Sequence, residues 1–572
     1  MSRSGIRPAF LAAILAVLST ALYAGTVRFE FPFDDAVHVA TNLDVRQLAR
    51  SLGALVSPTW PGYVYRPLPI VSYGLTHALF GLEPWAYHAT NVLLNAAVVV
   101  LAYLCLLRLV PAPLAFVTAL LFAFHPLHVE VVASIANRTE LFTALFGLAS
   151  LLVLLPARPD AAGPRPPRVA VASAFLLLSL LAKESAFVFL PLAALCLWMA
   201  RDRSLALLRR DVPIAIGFAL ATAAYLGLRI WALGAVMPAD AATSPIDNPL
   251  LELPTADRML RAAILLGKYL ALGLVPATPS ADYSWGTVGL GEQLLSVHSL
   301  VYAGLLAGLL VVGVAGLRHR HVIGFFVLWF FLAFAITANF VFPIGTIFAD
   351  RLAYLPSLGI CGLVACALLQ LRALPVRAAA IGAIVIVLGL RTISYSEVWR
   401  DNSTVFGYQI ATSPGSVRVQ SGWAESLSRA GRLDEARHHF QTALEIHPGY
   451  THAAYGLGMV ALKAGDATEG ARWLEHSLTI DPDYTRSLVL LGRLALNQGR
   501  ADRAGDLFVR ALNVDRSHYE ARLGLLAACL ETGNLLQAEA LRAELVASDP
   551  ANAELRAMSR VLDERLAASR SS

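Results

Sequence analysis

The chain has 572 residues, 57% of them hydrophobic and only 15% charged, with a mean hydropathy of +0.61. A soluble globule is nearer a quarter charged, so most of this protein must face lipid. The formal charge of +5 is small for the length and is read by location, since loop Lys/Arg sets membrane orientation; no nucleic-acid partner is expected. The five cysteines form neither a CxxC nor a Cys/His cluster, which argues against a disulfide framework or a structural metal.

Met1 to Val27 places Arg3 and Arg7 ahead of an apolar run of membrane-spanning length without a clear A-x-A cleavage site. It is expected to be a retained first transmembrane helix. Directly after it comes Phe31-Pro-Phe-Asp34-Asp35, two adjacent carboxylates where the chain leaves the membrane. Such a pair is either the lip of a water-filled cavity or a solvated surface pair. A loop over 28–85 follows, in which Val45, Leu48, Leu52 and Leu55 share one helical face with Arg46 and Arg50 off it. That spacing predicts an amphipathic helix lying on the membrane interface. The loop ends through Tyr63-Val-Tyr65-Arg66-Pro67-Leu68.

Apolar runs of spanning length then occur near 86–108, 112–127, 140–156, 168–182, 185–200, 212–232, 298–317, 321–340, 352–372 and 376–393, making eleven spans with the first. The segment 258–275 carries Arg258, Arg261 and Lys268 and reads as interfacial or re-entrant. With the N-terminus inside, the inner loops and N-terminus hold fourteen arginines, among them Arg7, Arg158, Arg201, Arg203 and Arg377. A twelfth span would turn the Arg318/Arg320 loop outward, so the positive-inside bias favours eleven. This orientation sets the C-terminal region, Asp34 and Asp35 on the outer side.

From about 397 charged residues become frequent and a 34-residue period appears. Pro414, Pro448, Pro482 and Pro550 keep it, as do Gly431, Gly465, Gly499 and Gly533 at the turns. Ala436, Gly470, Ala504 and Ala538 supply small contact residues, and Phe440, Leu474 and Phe508 fill the next turn. This is the tetratricopeptide pattern. Repeats are expected near 417–450, 451–484, 485–518 and 519–552, after a half repeat at Trp399–Thr412 and before a closing helix near 553–568. The fold class is therefore all-α, with a polytopic membrane bundle over 1–396 and a solenoid over 397–572 whose groove binds an extended peptide or protein.

On the outer side lie His125-Pro-Leu-His128-Val-Glu130, Asn137-Arg138-Thr-Glu140, Lys183-Glu184 and Asp350-Arg351 with Tyr354. Each alone reads as a snorkelling pair or a helix cap. Together they point to a cavity that holds an anion beside carboxylates. Rival chemistry is absent: there is no P-loop and no GxSxG, and the two histidines lack a further metal ligand, so no metal or cofactor is expected.

Phe33-Asp34-Asp35 with Asn42-Leu-Asp44-Val-Arg46, Tyr65-Arg66-Pro67-Leu68, His88-Ala-Thr-Asn91, Phe124-His125-Pro126-Leu-His128-Val-Glu130, Leu181-Ala-Lys183-Glu184 and Asp350-Arg351-Leu-Ala-Tyr354-Leu-Pro356-Ser357 carry a resemblance. Over nearly its whole length the chain resembles the transmembrane and TPR-containing O-mannosyltransferases, within the polytopic GT-C-type glycosyltransferases that use polyprenyl-phosphate sugars. Its repeats are fewer than in eukaryotic members, and its Ala/Arg-rich style points to a bacterial inner-membrane member with the repeats in the periplasm. The resemblance implies that Asp35 or Asp34 is the base, with a slight preference for Asp35. It implies that Arg66, His125, Arg138, Lys183 and Arg351 are the pool from which the donor phosphate is held. Tyr65, His128, Glu130, Glu140, Glu184 and Asp350 are further cavity candidates. The expected partners are the bilayer, the lipid-linked sugar and an extracytoplasmic protein acceptor in the repeat groove. Two alternatives stay open: a ligase that transfers a whole lipid-linked oligosaccharide, and a non-catalytic membrane anchor for the solenoid.

Overall fold

Proline-led apolar segments set the first part of the fold. Helices begin with proline in the first turn at Pro8–Tyr23, Pro67–Phe80, Pro84–Leu106, Ala112–Ala123, Pro166–Ala182 and Leu374–Ser396, where its missing N–H has no partner to lose. The computed structural model describes all residues except 1–6, 59–63, 157–164, 201–205, 237–243, 281, 284–296, 341, 517, 550–551 and 572. Arg3, Tyr63, Arg158, Arg201 and Arg203 of the sequence reading lie outside the described residues. Among those described, the regular elements are helical and there is no strand.

Two compact units divide at Thr412/Ser413. The expected boundary at 396/397 differs by one helix, Asn402–Thr412, which packs with the first unit: its Val405 is fully buried in a cluster with Phe29, Val129, Tyr395 and Trp399.

In the first unit, five described helices are long and apolar enough to cross a membrane: Pro8–Arg28, Pro84–Leu106, Asp211–Leu233, Leu300–Arg318 and Leu374–Trp399. A sixth crossing is possible if Ala112–Ala123 and Pro126–Ala133, bent by 56°, count as one. Pro166–Ala182, Glu184–Ala200, Val322–Phe334 and Ser357–Leu369 are apolar but shorter. The count of eleven is thus not confirmed: four of the apolar helices are shorter than a crossing needs, and the run at 112–127 is bent. Thr255–Leu274 buries one side, including Ala262, Leu265, Leu266 and Tyr269, and is not among the crossing helices.

The expected interfacial helix is corrected in extent. Only Leu48–Gly53 is helical. Val45 is fully buried in a cluster with Ile70, Tyr73 and Tyr87, while Leu48, Leu52 and Leu55 remain exposed.

The second unit follows the predicted repeat. Its helix pairs are Val417–Arg429 with Leu433–Ile446, Thr451–Lys463 with Ala467–Ile480, Thr485–Asn497 with Ala501–Val514, and Tyr519–Thr532 with Leu535–Ser548, closed by Ala553–Ser571. Gly431, Gly465, Gly499 and Gly533 turn each pair with φ between 73° and 87°, a region that costs a side-chain-bearing residue about 1–2 kcal/mol. Phe440 is fully buried against Gly456, where a Cβ would stand 2.2 Å from its ring. Phe508 meets Gly492 and Gly524 in the same way.

Candidate functional site

Asp34 and Asp35 open a helical turn that continues through Ala36–Ala40. Successive residues on a helical turn project in different directions. The two carboxylates consequently have different surroundings. Asp35 is fully buried; its Oδ1 accepts from Ser134 Oγ at 2.9 Å and Ala136 N at 2.7 Å, and its Oδ2 from Ile135 N at 2.9 Å. Burial pushes its carboxyl up to about 7, against the opposing pull of those three donors. Asp34 is half-buried and lies in electrostatic reach of His38, Glu130 and Arg351. The two carboxylates are thus told apart: Asp35 has no exposed surface and three bonds that latch the loop to the 134–136 turn, while Asp34 keeps exposed surface.

Three ion pairs gather beside this loop. Arg66 grips Glu184 with two N–H groups, Nε to Oε2 at 3.0 Å and Nη2 to Oε1. Lys183 Nζ pairs with Glu140, each side chain 11% exposed. Arg351 binds Glu130 twice, through its backbone N at 2.8 Å and through Nη1. The Glu130 side chain is 1% exposed and that of Arg351 24%, so the pair has an acid buried on one side and a guanidinium reaching the open. A small pocket lies at Glu140 and Arg351 of these pairs, lined also by Tyr354, Thr143, Ser185, Thr337, Val188 and Leu355.

The remaining predicted residues serve the frame. Arg138 is fully buried and donates to Asn91 Oδ1 at 2.8 Å, Ser72 Oγ at 2.6 Å and the Tyr87 carbonyl at 2.9 Å, with its guanidinium 4.8 Å from the Tyr73 ring centroid. It joins three helices and is corrected from phosphate ligand to buried brace. His125 is likewise corrected: its Nδ1 accepts from Leu127 N as a helix cap while its Nε2 donates to the Gly273 carbonyl at 2.9 Å. His128 is buried with its Nε2 2.8 Å from Ser357 Oγ and its ring against Phe122 and Tyr354. Tyr65 donates to the Leu55 carbonyl at 2.6 Å and is fully buried. Asp350 lies beneath the site, accepting from Ser280 N at 3.1 Å and Tyr283 Oη at 2.9 Å. Burial, then the nearby Glu130, pushes its carboxyl well above the usual range. These five are therefore buried away from the pocket, although Asp350 fixes the turn from which Arg351 projects.

His38 was missed by sequence reasoning. It follows Asp34 by four residues on the helical turn, and that i,i+4 spacing is the signal that could have found it. Burial lowers its pKa below the ordinary histidine value, and Arg66 and Arg351 act the same way against an opposing pull from Asp34. Thr143, Ser185 and Thr337 were missed because isolated hydroxyls in apolar runs carry no pattern. Among the described residues no cluster of three or more His, Cys, Asp or Glu has metal-holding geometry.

The tetratricopeptide repeat family matches residues 422–485 and 489–553. The chain is 27% identical to Protein O-mannosyl-transferase TMTC1 of Mus musculus, over 80% of this chain and 60% of that protein. It is 29% identical to the Homo sapiens protein of the same name, over 79% of this chain and 57% of the relative. Protein O-mannosyl-transferase TMTC3 of Homo sapiens is 24% identical over 75% of this chain and 50% of its own length. The chain spans between half and three-fifths of the length of these relatives.

Proposed function

We propose that this chain, whose relatives are named protein O-mannosyl-transferases, is an integral-membrane glycosyltransferase. It moves one mannose-like hexose from a polyprenyl-phosphate donor to a hydroxyl of an extracytoplasmic protein, and its repeat unit recruits that acceptor. The arginine bias of the predicted inner loops supports the extracytoplasmic side. One observation carries the reading: Arg351 lines the pocket while pairing with a buried Glu130, and the half-buried Asp34 lies within its electrostatic reach. A cation for a leaving phosphate thus stands near a carboxylate for an acceptor proton.

In the step, the acceptor hydroxyl oxygen attacks the anomeric carbon from the face opposite the phosphate. The bond from that carbon to the phosphate oxygen breaks, its electron pair leaves with the phosphate, and Asp34 takes the hydroxyl proton. The anomeric centre inverts. Phosphate leaves readily, so the protein supplies orientation and charge stabilisation. Arg351 is the favoured phosphate ligand: Glu130 occupies its Nη1, and the guanidinium has further N–H donors to offer. Arg66 and Lys183 are further cations of the region, and their carboxylates Glu184 and Glu140 keep the site near neutral until an anion arrives. The donor is the lipid-linked sugar itself, so the step requires no cofactor.

The test is transfer by the purified full chain in lipid nanodiscs, given a polyprenyl-phosphate hexose and a Ser/Thr-containing protein acceptor. The expected product carries one hexose per modified hydroxyl, and Arg351→Gln raises the donor KM about tenfold or more by removing a charge-assisted contact. Transfer of an intact oligosaccharide block from a lipid-linked glycan would replace this reading with the ligase, and no donor-dependent transfer at all would overturn it.

A further inference from the structure

The loop that carries Asp34 is anchored at both ends by residues far away in the chain. On its C-terminal side, Asp35 is fastened to the 134–136 turn. On its N-terminal side, Glu30 N donates to the Arg400 carbonyl at 2.9 Å and His88 Nε2 donates to the Glu30 carbonyl at 2.8 Å. Between these anchors, Phe33 has φ of 53°, one of three non-glycine residues in the left-handed region among those described. An aromatic residue there costs of order 1–3 kcal/mol and persists only when its surroundings hold it.

What holds it is the start of Asn402–Thr412. Phe33 N donates to Asn402 Oδ1 at 2.7 Å across 369 residues of sequence. The Phe33 ring stands edge-on to Trp399 at 6.3 Å and tilted against Phe406 at 5.7 Å. Asn402 has no capping duty, because Asp401 performs it: Asp401 Oδ1 accepts from Thr404 N at 2.8 Å, and Thr404 Oγ1 accepts from Asp401 N at 3.1 Å. The Asn402 amide is thereby left to the strained peptide immediately before Asp34. A left-handed residue redirects the chain, and Asp34 starts its helical turn from that redirection, with Asp35 N closing onto the Pro32 carbonyl at 3.0 Å.

We propose that Asn402 is a positioning residue for Asp34: by accepting from the Phe33 N–H it fixes the left-handed turn that aims the Asp34 carboxylate into the site. This rests on the glycosyltransferase reading above. It gives the segment that sequence reads as a half repeat a part in the chemistry of the membrane unit. A base displaced by an ångström still allows donor to bind but lowers the rate of the chemical step.

The experiment compares wild type, Asn402→Leu and Asn402→Asp as full chains in nanodiscs. Leucine has nearly the shape of asparagine without the acceptor, and aspartate keeps an acceptor oxygen at the same reach. Asn402→Leu is expected to lower kcat about 10- to 100-fold with donor KM within about threefold of wild type, and Asn402→Asp to recover most of the loss. Amide hydrogen exchange of peptides covering 29–40 supplies a readout independent of activity: exchange is expected to speed about tenfold or more in Asn402→Leu alone, as a local clamp is lost. Unchanged exchange and kcat in Asn402→Leu would overturn the proposal, as would a joint loss of kcat, KM and Tm that Asn402→Asp does not repair. A wild type without donor-dependent transfer would sink the enzymatic reading alone, and unchanged exchange would then sink the clamp as well.

Discussion

Two carboxylates adjacent in sequence meet opposite fates here. Asp35 is taken entirely out of water and Asp34 is left half-buried beside His38. The fate of Asp35 has a pH signature. Its folded pKa of about 7 lies above the ordinary carboxylate value, so between about pH 4 and 7 the folded chain keeps a proton that the unfolded chain has released. Its contribution to stability is therefore complete below pH 4, declines as pH rises to 7 and is level above. The stability difference between wild type and Asp35→Asn, read from thermal unfolding in detergent, is expected to shrink across that window. A difference that grows with pH would contradict the burial argument. None of this could be read from Phe31-Pro-Phe-Asp34-Asp35 as a string, because which carboxylate is buried depends on the 134–136 turn about a hundred residues away. The same limit explains Arg138 and His125. A basic residue near a membrane boundary looks alike in sequence whether it faces a phosphate or, like Arg138, three internal acceptors. Lys183 and Arg351 stand out in sequence as charges in otherwise apolar stretches, but their partners Glu140 and Glu130 are distant in the chain and could not be read from it.

Periodic elements were the most legible. The 34-residue repeat is local: each turn glycine, each small contact residue and each aromatic plug is set by neighbours within one or two helices. Gly465 turns its helix pair at φ of 87° in otherwise open space, so a methyl group there meets no neighbour and the penalty is conformational. Gly465→Ala is expected to cost about 1–2 kcal/mol, seen as a lower denaturant midpoint for the repeat signal with donor KM unchanged. A neutral result would mean that the turn relaxes. Apolar runs of the first unit were legible as helices but not in their breaks. The run at 112–127 was read as one span; it ends at Ala123, and Pro126–Ala133 departs at 56° because His125 caps a new turn with its own ring nitrogen. Hydropathy averages over such a break. Asn402–Thr412 is the other misread element: its spacing fits a half repeat, while its Val405 is buried with Trp399, which meets Phe33 at the acidic loop.

Across the first unit, residues distant in sequence are brought to one region: Asp34 and His38 from the loop after the first helix, Arg66 before the third, Glu130 and Glu140 from the turns near 125–140, Lys183 and Glu184 from a polar break, and Arg351 after the last long loop. Three cations each meet a carboxylate, a pattern that keeps several charges tolerable near lipid. The measurement that tests the central claim most directly is the single-turnover rate of hexose transfer from bound polyprenyl-phosphate donor by wild type, Asp34→Asn and Asp35→Asn, each reconstituted in lipid. Asp34→Asn is expected to bind donor as wild type does and to lose transfer by about a hundredfold or more, as loss of a positioned general base requires. Asp35→Asn is expected to keep measurable transfer in the fraction that remains folded. Full transfer by Asp34→Asn would contradict the account.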